Sequence, residues 1–477
     1  MKSAASHSEL DSSAFDYSDF AVAAGLAVIA AIVIVPGLGV QSLANWDEAI
    51  YGVVTRELLA HAGLTLRYGE RLWFEKPPFA FWLMAASSSV FGLTEFALRL
   101  PSALFGIAAI VLQYLAGRRL GGRSAGLLAA ILLLGVPQFV AYSRLAMTDV
   151  PLSTLGMLSV VLLLYADRRP SLMMSAGAAF GLAILTKSVA AFLFIPGLLA
   201  IVTAQHGIRF LHSKEMWLAI IAAVAVALPW HACLAVIYGR SFLDQYFGFH
   251  VVARFLSPLE GHEGSSLYYL ETYFNNAGFL APVQAAGIAL AVGLAIVKRD
   301  RLLAAASILP LAAFAMVSLQ GTKIGGYLTP VSPAAALAAA VGIMRFVHGA
   351  RGRVAVLLLA SLLALPGIVN GRGRFVESAD ILDFSPEVRS LRDTEVFANG
   401  RVSVLYTFGL AEPALRFYLA DHVQSIGELE LARLFARDRP FLCLTFNSQV
   451  AEFARKHPDL QFEIIASTES LALIGYL

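Results

Sequence analysis

The sequence predicts a polytopic α-helical membrane protein with a small α/β domain at its C-terminal end. Of its 477 residues, 58% are hydrophobic and only 14% are charged, and the mean hydropathy is +0.71. A soluble globular chain carries charges at about 25% of its positions, so the composition excludes that class. Apolar runs of membrane length recur in the first three quarters of the chain, and only shorter apolar segments follow them.

About eleven runs are long enough to cross a bilayer, on the rule of roughly 20 apolar residues per crossing. We place them at 20–40, 96–117, 124–142, 151–166, 171–186, 189–204, 216–238, 277–297, 302–319, 327–346 and 354–369. The segment 171–204 also permits a different count. Acidic residues precede the first run and no small-residue cleavage site follows it, so it is not predicted to be a signal peptide.

Lysine and arginine side chains set the predicted orientation because they accumulate in cytoplasmic loops. They are concentrated in four short loops on one side of the predicted bundle: 118–123, 168–169, 298–301 and 345–353. We therefore predict a cytoplasmic tail over 1–19, a membrane domain over 20–370 and a periplasmic domain over 371–477. The loop 41–95 then faces the periplasm as well.

The last hundred residues change in character. Strand-length apolar segments lie at 401–407, 441–446, 461–467 and 471–477, and helix-like stretches lie near 411–420, 427–437 and 448–457. Strands that alternate with helices predict a small α/β domain. This domain has no recognisable nucleotide-binding loop or metal cluster, so we interpret it as a soluble cap.

Charge and cysteine content narrow the function classes. The net charge is only +2, and no basic stripe with interleaved aromatic residues is present, which argues against nucleic-acid binding. Cys233 lies in an apolar run and Cys443 in the C-terminal region, so no disulfide framework is indicated. The unusual charges lie between Asn45 and Trp82, in the loop predicted to be periplasmic. Ionisable groups in such a position indicate a functional site.

Several motifs in a fixed order carry a family resemblance. They are WDEAIYGVVTREL, FEKPPFAFW, TEFALRLPSALFG, RLAMTDVPLSTL, GLAILTKS, RFLSPLEGHEGSSLYYL and GTKIGGYLTPVSP, spread over most of the first 340 residues. With them the chain resembles the membrane-embedded glycosyltransferases that use polyprenyl-phosphate sugars. These have the GT-C fold and include the aminoarabinose lipid A transferases and the protein O-mannosyltransferases. The resemblance implies a glycosyltransferase with a lipid-linked donor.

Three carboxylates are the candidate catalytic residues. Asp47 and Glu48 open the first external loop, where a transferase needs a carboxylate to orient or deprotonate the acceptor. Asp149 matches the family's second acidic motif. The alternative is structural, since acidic residues at these positions also suit the first turn or the cap of a helix. We predict a catalytic role for Asp47 and Asp149, and both interpretations stay open for Glu48.

Four cations and one tyrosine are the candidate ligands of the donor phosphate. Lys76 precedes two prolines that fix the backbone, and the resemblance makes it the phosphate-binding lysine. Arg56 and Lys187 are further candidates. Lys323 and Tyr327 would share a helix face if the helix begins early enough. As alternatives, Lys76 could reach ordinary lipid headgroups, and Tyr327 could belong to an interfacial aromatic belt.

His262 is the candidate metal ligand. With Glu263 it could contribute to a divalent-cation site, as the matching histidine does in some relatives. Two adjacent residues do not make a metal motif, and a loop histidine is more often solvated. No cofactor is predicted with certainty, and a divalent cation is the only candidate.

The sequence therefore predicts an inner-membrane glycosyltransferase with its active site on the periplasmic side. It would transfer a sugar from a polyprenyl-phosphate carrier to lipid A, lipopolysaccharide or another envelope acceptor, with inversion and phosphate as the leaving group. The alternatives are a protein O-glycosyltransferase of the same fold and a flippase of lipid-linked sugars. The sugar, the acceptor, the metal dependence and the oligomeric state stay open.

Overall fold

The structure is a computed structural model that describes residues 17–167, 169–259, 261–373, 384–397, 400–410, 413–437 and 440–476. Most of the tail predicted over 1–19 lies outside the described residues. The chain divides into two compact units. The first unit comprises Met1–Leu38, Phe74–Leu83 and Arg99–Glu377. The second unit comprises Gly39–Trp73, Met84–Leu98 and Ser378–Leu477.

Helices dominate the described residues. In chain order they are α1 (Tyr17–Ile34), α2 (Asp47–Ala60), α3 (Phe79–Phe91), α4 (Glu95–Gly121), α5 (Arg123–Leu134), α6 (Pro137–Ser143), α7 (Asp149–Tyr165), α8 (Ser171–Lys187), α9 (Ile195–His206), α10 (Lys214–Tyr238), α11 (Arg240–Leu243), α12 (Arg254–Leu256), α13 (Tyr268–Ala277), α14 (Ala281–Lys298), α15 (Arg301–Ser318), α16 (Val331–Phe346), α17 (Ala350–Arg372), α18 (Ser385–Leu391), α19 (Pro413–Tyr418), α20 (Glu428–Phe435) and α21 (Asn447–Lys456). Shorter 3₁₀ segments include Ser188–Phe194 and Gly325–Leu328, and Asp244–Ala253 is a π-helix.

Eight helical segments of the described chain are long and apolar enough to cross a membrane. They are Tyr17–Ile34, Glu95–Gly121, Ser171–His206, Lys214–Tyr238, Tyr268–Lys298, Arg301–Ser318, Gly325–Phe346 and Ala350–Arg372. The pair α5 and α6, bent by 74°, would make nine. The predicted count of eleven is not confirmed. The runs 171–186 and 189–204 are joined by a 3₁₀ segment into one helical stretch, and α7 has only 17 residues.

Burial in the first unit separates interior helices from peripheral ones. In the span that contains α16, 89% of the residues are buried, whereas only 17% are buried in α1 and in α10. The outer helices nevertheless expose large apolar side chains, among them Ile32, Val236 and Leu362. Apolar side chains exposed on long hydrophobic helices are those that contact lipid. The first unit is thus a multi-pass membrane structure.

Helices α8 and α10 pack backbone against backbone. A Cβ atom at Gly177 would lie 1.9 Å from the Ala219 carbonyl oxygen, and one at Gly181 would lie 2.6 Å from the Ala223 carbonyl oxygen. Small residues four apart permit this close approach between membrane helices. The contact fixes the position of Lys187 at the end of α8.

The C-terminal part of the second unit is the predicted α/β region. It contains a five-stranded sheet whose strands are β3 (Val402–Phe408), β4 (Ala420–Ser425), β5 (Phe441–Phe446), β6 (Glu463–Ser467) and β7 (Leu471–Tyr476), after the small hairpin β1 (Arg67–Tyr68) and β2 (Arg71–Leu72). The strand order is β4-β3-β5-β7-β6. β3 is parallel to β4 and β5, and β7 is antiparallel to β5 and β6. Cys443 of β5 belongs to the same hydrophobic core as Phe435 and Phe453 from the helices of this region.

Helix α2 packs on α19 inside the second unit. A Cβ atom at Gly52 would lie 2.8 Å from the Phe417 ring and 2.9 Å from Leu43, so only glycine fits there without rearrangement. The buried Tyr418 hydroxyl accepts a hydrogen bond from the Leu43 amide at 2.8 Å and donates one to Glu95 at 2.9 Å. The C-terminal region therefore holds the segment that leads into α2.

Candidate active site

A cavity of about 460 Å³ in the first unit gathers most of the predicted site residues. Its charged and polar lining consists of Glu75, Lys76, Asp149, Lys187, Ser188, Tyr246, His250, Arg254, Gln320 and Tyr327. Three fixed cations (Lys76, Lys187 and Arg254) face two carboxylates, so the cavity carries a positive excess. The remaining wall is apolar, with side chains such as Leu152, Phe192 and Val317. A positive cavity with apolar walls suits an anionic ligand that has an apolar part.

Lys76 lies directly before the two prolines of the EKPP motif, where the backbone is restricted. Its ammonium contacts the Glu75 carboxylate at 2.6 Å. Burial alone would raise the pKa of Glu75, but Lys76, His250 and Arg254 outweigh it and lower that pKa to about 2. Glu75 is therefore ionised at physiological pH, and it keeps the Lys76 ammonium in the cavity.

Lys187 and Asp149 form a buried ion pair. The ammonium of Lys187 contacts Asp149 Oδ1 at 2.6 Å and lies 5.5 Å from the centre of the Tyr327 ring. Thr148 is the N-cap of α7 and Asp149 is its first residue, so the carboxylate points to the lysine instead of capping the helix. Asp149 Oδ2 is buried and has no hydrogen-bond partner among the described residues. A buried carboxylate oxygen in that state is ready to accept a hydrogen bond from a ligand.

Ser188 follows Lys187 in a conformation that L-residues rarely adopt. Its φ is 53° and its ψ is −134°, and α8 ends there. A non-glycine residue held in such a region costs on the order of 1–3 kcal/mol and persists only when its surroundings enforce it. The reversal turns the chain from α8 into the 3₁₀ segment and leaves the Lys187 side chain facing Asp149.

Tyr246, His250 and Arg254 line the cavity although none of them was predicted to be a site residue, and only Arg254 lies in a quoted motif, as the first residue of RFLSPLEGHEGSSLYYL. Tyr246 and His250 lie on the π-helix Asp244–Ala253, and Arg254 follows it directly. π-Helical segments are rare and are frequent at functional sites. Sequence reasoning has no pattern for a π-helix, which explains why these residues were missed. The sequence gives one indication that they belong to a site, because His250 and Arg254 are ionisable residues in a loop predicted to be external.

A second cavity of about 630 Å³ lies between α8, α9 and α10 and is almost wholly apolar. Its polar lining is limited to Ser159, Ser188 and His231. Ser188, Val189 and Phe192 line this cavity and the charged one alike. The first unit thus places an apolar space directly beside the positive cavity.

Lys323 and Tyr327 do not share a helix face. The 3₁₀ segment begins at Gly325, after Lys323, and Ile324 is extended. The Lys323 ammonium donates to the Ser318 carbonyl at 2.7 Å and lies over the Tyr269 ring, and within the described chain this lysine does not line the charged cavity. Burial lowers the pKa of Lys323. Tyr327, in contrast, lies in the charged cavity beside Lys187.

The residues around His262 do not form a cation site in the described chain. No group of three or more histidine, cysteine, aspartate and glutamate residues there could hold a metal ion. The His262 backbone instead fixes its loop, because its carbonyl accepts a hydrogen bond from the Lys323 amide at 3.0 Å. A metal-binding role for His262 stays a prediction without structural support.

Asp47, Glu48 and Arg56 belong to the second unit. Tyr51 donates its hydroxyl to Asp47 at 3.2 Å, and the buried Glu48 accepts a hydrogen bond from the Ala44 amide at 2.7 Å. Arg56 donates to the Arg416 carbonyl at 2.7 Å. The contact of Glu48 supports the structural interpretation of that residue. Arg56 likewise has a clear role in joining α2 to α19.

The fold and the family resemblance are confirmed by comparison with known proteins. Residues 75–232 match the model of a family described as dolichyl-phosphate-mannose-protein mannosyltransferase. The fold is that of ArnT from Cupriavidus metallidurans, solved bound to undecaprenyl phosphate (TM-score 0.71, 20% identity, 97% of this chain and 99% of that one). Its apo state matches with a TM-score of 0.74 at 18% identity, over 96% and 98% of the two chains. The chain is thus a multi-pass membrane protein with the GT-C fold.

Two curated relatives show the same relationship in sequence. An uncharacterized protein of Aquifex aeolicus is 30% identical over 164 residues, 34% of this chain and 33% of that protein. The undecaprenyl phosphate-alpha-4-amino-4-deoxy-L-arabinose arabinosyl transferase of Yersinia pestis is 29% identical over 245 residues, 49% of this chain and 44% of that protein. The chain therefore spans a third to less than half of the length of these relatives.

Proposed function

We propose that the protein is a glycosyltransferase that moves a sugar from a polyprenyl-phosphate carrier to an acceptor of the cell envelope. The observation that carries this proposal is the positive cavity, in which Lys76, Lys187 and Arg254 converge. Lysine and arginine together suit a phosphate group, since one acts as a point charge and the other as a planar fork. Among the described residues, no strand-helix unit carries a phosphate-binding glycine-rich loop of the kind that would support a sugar nucleotide as donor.

The apolar cavity supports a lipid-linked donor over a soluble one. A polyprenyl phosphate needs an apolar space that begins where its phosphate is bound. The two cavities share Ser188, Val189 and Phe192, so they provide this combination. The exposed apolar side chains of Phe249, Phe255 and similar residues near the π-helix also suit entry of the chain from the bilayer.

The chemistry we propose is an in-line displacement at the anomeric carbon. An acceptor oxygen forms the new bond, the bond between carbon and phosphate oxygen breaks, and its electron pair leaves with the phosphate. Lys76, Lys187 and Arg254 stabilise the charge of the leaving phosphate. Asp149 Oδ2 orients a sugar hydroxyl or amino group. The sequence motif, and not the cavity, makes Asp47 the proposed general base when the acceptor is a hydroxyl.

The substrates follow from the relatives as proposals. The name of the Yersinia enzyme makes 4-amino-4-deoxy-L-arabinose the first candidate sugar and undecaprenyl phosphate the first candidate carrier. Lipid A or lipopolysaccharide is then the candidate acceptor, on the periplasmic face of the inner membrane. A protein acceptor is the second candidate, because the matching family model is described as a protein mannosyltransferase. No group of three or more histidine, cysteine, aspartate and glutamate residues that could hold a metal ion lies within the described residues, and no step is assigned to a cation.

Mass spectrometry of envelope lipids and glycans tests the proposal. Cells that lack the protein are compared with cells restored with wild type, with Lys76→Ala or with the control Lys214→Ala, whose side chain is 85% exposed. We expect one sugar to be lost from one acceptor and its polyprenyl-phosphate donor to accumulate, in the deletion and in Lys76→Ala alone. An unchanged acceptor in cells that make the donor would reject glycosyl transfer to lipid and favour a protein acceptor or a flippase.

Reporter fusions test the proposed orientation. Alkaline phosphatase fused after Tyr476 should be active, because the C-terminal region is predicted to be periplasmic and this enzyme folds only there. A fusion in the predicted cytoplasmic loop near Lys298 is the control and should be inactive. A silent C-terminal fusion beside an active loop fusion would reverse the orientation.

A further inference from the structure

Residues 319–324 form the segment that connects α15 to the 3₁₀ segment Gly325–Leu328, in which Tyr327 lies. Gln320 and Tyr327 both line the charged cavity. Between them, four consecutive backbone amides donate hydrogen bonds to partners outside the connecting segment. These bonds run from Gly321 to the Phe255 carbonyl (2.7 Å), from Thr322 to the Arg254 carbonyl (3.2 Å), from Lys323 to the His262 carbonyl (3.0 Å) and from Ile324 to the Tyr269 hydroxyl (3.1 Å). The connecting segment is thus fixed, residue by residue, to the chain that runs from α12 to α13.

The side chain of Thr322 adds two hydrogen bonds to the same stretch of chain. Thr322 is fully buried, and its hydroxyl donates to the Ser257 carbonyl at 2.9 Å. The same hydroxyl accepts a hydrogen bond from the Leu259 amide at 3.2 Å. A hydroxyl that donates its one hydrogen and also accepts is bound in a single orientation. Together with its backbone bond to Arg254, Thr322 therefore fixes the stretch 254–259 at both ends and in the middle.

Gly321 brings the two pieces of backbone into direct contact. A Cβ atom at this position would lie 2.6 Å from the Ser257 amide nitrogen and 2.9 Å from the Leu256 carbonyl carbon, so only glycine fits without rearrangement. This contact lies next to Arg254, whose side chain lines the charged cavity. The close approach and the bonds of Thr322 thus act on the same few residues.

Building on the proposed function, we propose that Thr322 is a positioning residue that holds Arg254 and Tyr327 together at the donor phosphate. A planar guanidinium binds phosphate through two parallel hydrogen bonds, and this geometry tolerates little displacement of the arginine backbone. Arg254 and Tyr327 lie on separate elements, and the connecting segment joins them directly. Loss of the Thr322 hydroxyl would loosen the stretch 254–259, and the guanidinium would then occupy positions that do not match the phosphate.

The test uses the full-length protein in detergent and two probes, undecaprenyl phosphate and undecaprenol. The probes share the polyprenyl chain and differ in the phosphate group. Thr322→Val keeps the shape of the side chain and removes both of its hydrogen bonds. It should weaken binding of undecaprenyl phosphate about tenfold and leave binding of undecaprenol unchanged. Thr322→Ser keeps the hydroxyl and should bind both probes as wild type does.

A double-mutant cycle shows whether Thr322 acts through Arg254. Arg254→Gln alone should weaken binding of undecaprenyl phosphate on the order of 30-fold, because a charged hydrogen-bond donor is lost. In that background, Thr322→Val should have no further effect, since the group that it positions is absent. Tyr269→Phe removes the acceptor of the Ile324 amide and should also weaken binding of this probe alone. It decides the test if Thr322→Val does not fold.

Thr154→Val is the matched control. The Thr154 hydroxyl is also buried in the first unit and is hydrogen-bonded to two backbone carbonyls, so its removal should leave the binding of both probes unchanged. If Thr322→Val and Tyr269→Phe bind undecaprenyl phosphate as tightly as wild type, the proposed role of Thr322 is wrong. It is also wrong if Thr322→Val weakens both probes alike or acts equally without Arg254. If wild type binds undecaprenol as tightly as undecaprenyl phosphate, the proposed function itself fails.

Discussion

The two units use the same residue types in opposite ways. In the first unit, Lys76, Lys187 and Asp149 surround a cavity of about 460 Å³, and one buried oxygen of Asp149 lacks a partner in the described chain. In the second unit, Arg401 donates to the carbonyls of Arg416, Phe417 and Ala420. There the guanidinium of Arg401 is held by backbone carbonyls.

This difference separates the candidate ligand site from a structural network. Buried charges are expensive, and a protein keeps them either by pairing them completely or by reserving part of their capacity for a ligand. In the second unit, Arg401 is paired in this complete way. Burial lowers the pKa of Arg401 to about 10, against the effect of Asp421, and the backbone carbonyls still hold its guanidinium. In the first unit, Asp149 is only partly paired. Its Oδ2 atom has no hydrogen-bond partner in the described chain and is left to accept a bond from a ligand.

Breaking the Lys187–Asp149 pair should give the largest effect. Lys187→Ala leaves a buried carboxylate without its cation, so we expect a loss of about 3–5 kcal/mol in the free energy of unfolding and no detectable transfer. The double variant Asp149→Asn/Lys187→Met should regain much of the stability and none of the activity. Melting temperature and turnover in detergent measure the two quantities.

The control for that experiment is the exposed pair of Lys214 and Glu215, whose nitrogen and oxygen are 3.9 Å apart. Lys214→Ala should change the free energy of unfolding by less than about 0.5 kcal/mol. Normal turnover in Lys187→Ala would show that the pair is a structural element, like the network of the second unit.

Asp47 and Glu48 offer the same comparison within one helix turn. Asp47→Asn should reduce turnover by about two or more orders of magnitude with an unchanged melting temperature, because a general base is removed. Glu48→Gln should do the reverse, since a buried acceptor of the Ala44 amide is weakened, with a loss of about 1 kcal/mol and near-normal turnover. Equal effects of both variants on stability, with turnover preserved, would assign Asp47 to the structural class.

The sequence could locate the site motifs but not their pairing. The prolines after Lys76 and the family resemblance at Lys76 and Asp149 pointed to these two residues, whereas the helix start at Asp149 favoured a structural role. The contact of Asp149 with Lys187 depends on the packing of α7 and α8, and no local pattern specifies it. The conformation of Ser188 likewise has no local signal, because serine normally avoids a positive φ.

For the fold, too, the sequence predicted the segments with a local pattern and missed one that depends on tertiary pairing. The α/β character of the C-terminal region was predicted from apolar segments, and β3, β5, β6 and β7 lie close to the predicted ranges. The strand β4, with the sequence ADHVQS, was missed because only Ala420 and Val423 are buried and the other four residues are polar and exposed. It is an edge strand, and its register is set by pairing with β3. That pairing depends on the tertiary structure, so the local sequence of β4 does not predict it.

Removing one hydroxyl from the second unit should have an intermediate effect. Tyr418→Phe leaves the Leu43 amide and Glu95 without their shared partner, so we expect a loss of about 1–3 kcal/mol in the free energy of unfolding. Tyr406→Phe, in the same unit, is the control and should cost less than about 0.5 kcal/mol. Equal melting temperatures for the two variants would show that Tyr418 does not hold the segment before α2.

The smallest effect concerns the charge of Glu75. The pKa of Glu75 is lowered from 4.5 to about 2, so its ionised form stabilises the protein above about pH 4.5 and this contribution is lost as the pH falls towards 2. By about pH 4 the loss should reach only about 1 kcal/mol. Glu75→Gln should remove this part of the pH dependence, whereas the exposed Glu70→Gln should keep it. If the stability of wild type and Glu75→Gln fell in parallel between about pH 6 and pH 4, Lys76 would not hold the carboxylate in its ionised form. The cavity would then lack the fixed carboxylate that keeps Lys76 in position.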